Sequence, residues 1–81
     1  MSCKMRRFIN NDKIIIKKLD KYNLIAVAYS MELGHEIKYN ISVRQLKRLK
    51  VGNSYNVYTE LITSQDNKAI EINIIKIIGR Y

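Results

Sequence analysis

Four basic side chains, Arg44, Lys47, Arg48 and Lys50, fall within one short stretch, and no acid occurs between residues 42 and 52. Guanidinium and ammonium groups at this density are suited to holding phosphates by charge and hydrogen bonding. They are poorly suited to making or breaking bonds. Groups that do such work are sparse. Cys3 is the only cysteine, near the N-terminus with no histidine beside it in sequence. His35 is the only histidine and follows Gly34. Three glycines provide no phosphate-cradling loop, and the seven acids are scattered without metal-ligand spacing. The expectation is a protein that is not an enzyme and carries no cofactor and no metal.

The formal net charge is +8, and it is unevenly placed. Up to residue 21 the chain carries Lys4, Arg6, Arg7, Lys13, Lys17, Lys18 and Lys21 against Asp12 and Asp20. The segment from 42 to 52 adds four more bases, and the rest is nearly neutral. A polyanion is the natural partner for such a chain. The basic segments lack a broad aromatic or Leu-rich companion face, so an anionic membrane surface fits less well. No apolar run approaches the roughly 20 residues needed to span a bilayer. No export signal is read at the N-terminus, and a lone cysteine fits a reducing compartment, so a cytoplasmic location is expected.

The 81 residues allow one domain, and 47% hydrophobic with 27% charged residues is a globular composition. So small a domain has little room for a deep substrate pocket, but it can offer a surface to a large partner.

The elements that must position the bases follow from periodicity. Residues 1–12 read as a basic tail, and residues 13–81 as the folded domain. Ile14-Ile15-Ile16 opens a first strand running towards Leu19, and Asp20-Lys21-Tyr22-Asn23 is a turn. Leu24 to Tyr29 is a second strand, apolar enough to be buried on both sides. After a loop around Gly34, Glu36 to Ile41 alternates, with Ile37, Tyr39 and Ile41 on one face. The period then changes. Ser42 and Gln45 fit a capping box for a short helix. Val43, Leu46 and Leu49 would dock it, with Arg44, Lys47 and Arg48 on the opposite side and Gly52 as the stop. Ser54 to Thr63 is a fourth strand, Ser64-Gln65-Asp66-Asn67 a polar turn, and Lys68 to Ile78 a fifth strand. The isoleucines of that last strand slip phase, which predicts a bulge near Ile74-Ile75.

Strand, strand, strand, helix, strand, strand is the element order of the OB-fold, a five-stranded all-β barrel with one short helix between strands three and four. An SH3-like or other small barrel stays open, since strand count does not fix topology. The expected core includes Ile37, Ile41, Leu46, Val57, Ile70 and Ile72, with Tyr39 and Tyr55 beside them. The candidate nucleic-acid-binding set is Arg44, Lys47, Arg48 and Lys50 first, then Lys38, Lys17, Lys18, Lys68, Arg6 and Arg7. Tyr58, Tyr29 and Tyr22 are candidates for base stacking, and His35 for a stacking or titrating role.

Several segments resemble translation initiation factor one of bacteria and its archaeal and eukaryotic counterpart, one-A. Leu24-Ile25-Ala26-Val27 is similar to that family's stretch leading into Leu-Glu-Ala-Leu. Gly34-His35-Glu36-Ile37 followed by Ile41-Ser42 resembles its Gly-His-Glu-Val and Ile-Ser, and Val51-Gly52 before Tyr55-Asn56-Val57 resembles its Gly-Asp and following strand. Gln65-Asp66-Asn67-Lys68-Ala69 looks like the turn of the one-A branch. Where the family has Gly-Lys-x-Arg after the third strand, this chain has Ser42-Val43-Arg44-Gln45, and it has no tryptophan. The resemblance implies an OB-fold that binds small-subunit ribosomal RNA near the decoding site. Gly34-His35-Glu36-Ile37 and Val57-Tyr58-Thr59 also resemble the N-terminal domain of the bacterial Holliday-junction protein RuvA, whose helical junction-binding domains have no counterpart here. Two other readings stand beside the ribosomal one. The chain could be a sequence-tolerant binder of single-stranded DNA or RNA, viral among other sources. It could also be a structural subunit whose barrel packs on protein.

Overall fold

The computed structural model describes residues 5–64, 66 and 68–81, without the side chains of 69 and 70. Cys3, Lys4, the expected turn positions Gln65 and Asn67, and the expected burial of Ile70 therefore lie outside the described residues. The elements are β1 (Arg6–Asp20), β2 (Ile25–Ser30), β3 (His35–Asn40), α1 (Val43–Arg48), β4 (Ser54–Thr63) and β5 (Ala69–Arg80). The fold is all-β with one short helix between β3 and β4, and the sheet closes into a ring in the order β1-β2-β3-β5-β4.

Strand β1 starts at Arg6, well before Ile14. Arg6 pairs with Thr63, and the register continues without a break to Ile15 opposite Ser54. Phe8-Ile9-Asn10-Asn11-Asp12 has no apolar alternation, so periodicity missed it. Antiparallel pairing rests on backbone groups and needs no such pattern. From Ile14 onward β1 also pairs with β2, so one long strand serves two neighbours. A register shift between Ile16 and Lys18 leaves Lys17 at a bulge, where the strand bends between them.

Strand β5 curves by the same device. Opposite β4 its register steps from Lys76 to Ile74 and from Gly79 to Ile77, skipping Ile75 and Ile78. Ile74 and Ile77 therefore both point inward and are buried, while Ile75 and Ile78 face solvent. The phase slip read near Ile74-Ile75 is this bulge.

The core gathers Ile14, Ile16, Ala26, Ala28, Ile37, Tyr39, Ile41, Leu49, Tyr55, Val57, Ile74 and Ile77. Leu46 and Ile72 pack against it while only half-buried. Strand β2 alternates: Ala26, Ala28 and Ser30 are buried, and Ile25, Val27 and Tyr29 are half-buried on the outer face. It is not buried on both sides, because its outer face lies open where the ring has no second layer.

The two ends of the ring differ. At one end α1 closes the gap beside the short parallel contact of β3 with β5, whose register pairs Asn40 with Asn73. Ser42 and Gln45 form the expected capping box, and the Gln45 amide donates to the Ile74 carbonyl at 2.8 Å, tying the helix to β5. Leu46 and Leu49 dock the helix, but Val43 is 55% exposed. A helix of six residues turns Val43 past the edge of its contact. At the other end lies the β2–β3 turn, Met31 to Gly34.

Candidate nucleic-acid interface

Arg44, Lys47, Arg48 and Lys50 are all exposed on α1 and the segment after it. None pairs with a carboxylate among the described residues. Their placement is fixed from beneath by Tyr55. Its ring is buried, and its hydroxyl accepts from the Lys50 N–H at 2.9 Å and donates to the Arg48 carbonyl at 3.2 Å. The backbone that mounts Arg48 and Lys50 is thus pinned to the core.

Register adds a fifth base. Arg80 of β5 lies opposite Tyr55, on the inward side where the ring opens beside α1. A cavity of about 220 Å³ sits there, lined by Arg48, Lys50, Asn53, Tyr55, Ile77, Gly79 and Arg80. Sequence reasoning missed Arg80, which is 30 residues from Lys50 and joins it only through the register of β4 with β5.

A second basic group lies on the outer face of β1, β2 and β3. Lys18, Val27 and Lys38 form one cross-strand row, and Ile15, Tyr29 and Glu36 form another. Lys18 and Lys38 thus flank an apolar strip of half-buried Ile25, Val27 and Tyr29. Lys17 is exposed at the β1 bulge. His35 is exposed at the start of β3, with Nδ1 3.1 Å from the Glu36 carbonyl.

The remaining candidates lie elsewhere. Tyr58 is 42% exposed between Asn11 and Lys76 in register, on the part of the ring formed by β1, β4 and β5, so it shares no surface with Tyr29. Arg7 is ion-paired with Glu60 at 2.6 Å, with its Nε donating at 2.7 Å, which cancels its charge locally. Arg6 belongs to the same arm of β1 and also has a partner. Lys68 is exposed after the β4–β5 turn, where its carbonyl accepts from the Ser64 N–H at 2.9 Å. Tyr22 is 97% exposed in the β1–β2 turn. Asp20 holds that turn, accepting from the Tyr22 and Asn23 N–H groups and the Asn23 amide, and these bonds hold its carboxyl below the usual range. The structure therefore brings together the helix bases, and separately Lys18 with Lys38, but does not join the arm to either.

Among the described residues no group of three His, Cys, Asp or Glu could hold a metal ion, and no helix is long and apolar enough to cross a membrane. No protein-family model, curated protein or solved structure matches this chain.

Proposed function

We propose that the chain is an OB-type barrel that binds RNA or another single-stranded nucleic acid through charge and surface shape, without chemistry of its own. The observation that carries this reading is the cluster of four exposed bases, without a carboxylate partner among the described residues, on a helix and the segment after it, pinned at one end of a closed five-stranded ring. The strand order β1-β2-β3-β5-β4, with the helix between β3 and β4, supports the OB assignment. OB barrels bind strands across the face of their second and third strands. Here that face offers Lys18 and Lys38 on either side of Val27, with Tyr29 one row away as a stacking surface. The small ribosomal subunit is the target that the resemblance to initiation factor one and one-A implies.

The test is binding of a labelled single-stranded RNA, measured by fluorescence anisotropy across a salt series. Each neutralised phosphate of a single strand contributes about −0.7 to the log–log slope. Four or five contacts give a slope of about −3. Absence of binding at low salt overturns the reading. Sequencing the nucleic acid that copurifies with a tagged chain, and co-sedimentation with small ribosomal subunits, then identify the target.

A further inference from the structure

We propose that the cavity between Arg48, Lys50 and Arg80 is a subsite for a single phosphate group, which on the nucleic-acid reading above belongs to the bound strand. Three cations from two separate segments face one cavity of about 220 Å³, and its lining contains no acid. Like charges held close together repel one another, and a bound anion relieves that repulsion. A phosphate also satisfies the planar donor fork of an arginine.

The cavity offers a base no surface to stack on. Its one aromatic side chain, Tyr55, is 4% exposed, so it presents no ring face for stacking. The Tyr55 hydroxyl is also committed, bonded to the backbone of Lys50 and Arg48. Asn53 adds a donor by contrast: its side-chain amide makes a long 3.5 Å contact to that hydroxyl, which leaves it donor capacity for an anion. Because the tie to Tyr55 fixes the backbone under Arg48 and Lys50, little order has to be imposed on binding.

The source is either a phosphodiester within the strand or a phosphate monoester at its end. Two single variants probe the site. Arg80→Gln removes the cation that β5 contributes. Lys50→Gln removes a second cation, from the other segment, and leaves in place the backbone N–H that bonds Tyr55. Both are checked for folding by circular dichroism, then titrated beside the wild type with one RNA oligonucleotide bearing a 5′-hydroxyl or a 5′-phosphate. Each variant should weaken binding about tenfold, and Arg80→Gln should reduce the salt slope by about 0.7. Loss of a preference for the 5′-phosphate identifies a terminal phosphate, and equal losses on both oligonucleotides identify an internal one. Wild-type binding that neither variant changes overturns the subsite and leaves the nucleic-acid reading standing. Inorganic phosphate, followed by amide shifts in two-dimensional NMR, separates the reverse case. Saturable shifts at Lys50, Asn53 and Gly79, lost in Arg80→Gln, with no strand bound, keep the subsite and overturn the nucleic-acid reading.

Discussion

The carboxylate of Asp12 accepts a hydrogen bond from the hydroxyl of Ser30, and both residues are buried, at 7% and 0% exposure. Asp12 also accepts from its neighbour Lys13 N–H at 2.7 Å and from the Glu32 N–H at 3.2 Å, while Ser30 Oγ accepts from the Leu33 N–H at 3.0 Å. One acid on β1 thereby fixes the β2–β3 turn, at the end of the ring away from α1. Among the described residues its partners are a hydroxyl and two N–H groups, and it forms no ion pair. The helix cations are left without an acid to compensate them.

Asp12→Ala should lower stability by about 2 kcal/mol, because it strands a buried hydroxyl and takes the acceptor from two backbone N–H groups. Ser30→Ala should cost less, since it removes both the donor to Asp12 and the acceptor for Leu33 but leaves Asp12 its two N–H partners. The double variant should lose less than the sum, as residues in one network couple. Urea denaturation midpoints measure all three. Strict additivity would show that the two side chains do not act together.

Tyr39 gives the stability a dependence on alkaline pH. It is buried, and burial pushes its phenol up to about 12; the nearby Asp12 and Glu32 carboxylates add to the rise and the Ser30 hydroxyl opposes it. The folded state thus holds the proton more tightly than the unfolded chain, whose phenol has the ordinary value of 10.0. The neutral ring's contribution is complete below pH 10 and is lost as the pH rises through about 12. Denaturation midpoints should fall across this window in the wild type, and less steeply in Tyr39→Phe. Identical profiles for the two would assign the fall to other groups.

Gln45→Ala should destabilise more than Ser42→Ala. Loss of the Ser42 hydroxyl removes one cap contact, worth about 1 kcal/mol. Gln45 supplies the reciprocal cap bond to the Ser42 N–H and also the 2.8 Å bond to the Ile74 carbonyl, beside a β3–β5 contact whose register pairs Asn40 with Asn73. Thermal denaturation of the two variants gives the order. Equal losses would mean that the bond to Ile74 adds nothing in solution.

Where side chains alternate in step with burial, the sequence announced the structure. Ile37, Tyr39 and Ile41 lie inward as read, and the capping box of Ser42 and Gln45 placed α1. The bulge at Ile75 was legible because isoleucines changed phase there. The arm from Arg6 to Asp12 was not, since its partner β4 lies about fifty residues away and the pairing uses backbone bonds. Asp12 was hidden for a related reason: an acid reads as a surface residue until the hydroxyl and N–H groups that bury it are known. In the candidate site, Arg44, Lys47, Arg48 and Lys50 were legible as one unbroken local run. Arg80 was not, because only the pairing of β4 with β5 carries it to them. Arg7 read as a free cation, and Glu60, 53 residues on, answers it.

The basic helix should carry more of the nucleic-acid affinity than the β1 arm. Deleting the first residues is a poor test, because Arg6 and Arg7 already belong to a paired strand. Substitution isolates charge from structure. Glutamine is the better replacement on α1, since Lys47 and Arg48 lie in its last turn, where an acid would oppose the helix dipole. Arg44→Gln, Lys47→Gln and Arg48→Gln together should leave the fold intact, because exposed positions away from caps and core typically shift stability by about 0.5 kcal/mol or less each. They should reduce the salt slope by about 2, one phosphate contact for each base. Arg6→Gln with Arg7→Gln should cost less, since Glu60 already neutralises Arg7 and removing that arginine also frees a carboxylate. Anisotropy on the two sets, with circular dichroism to confirm folding, decides between the surfaces. If the arm substitutions abolish most of the affinity and the helix substitutions little, the strand runs along β1 and β4, and Tyr58 with Lys76 becomes the patch to mutate next.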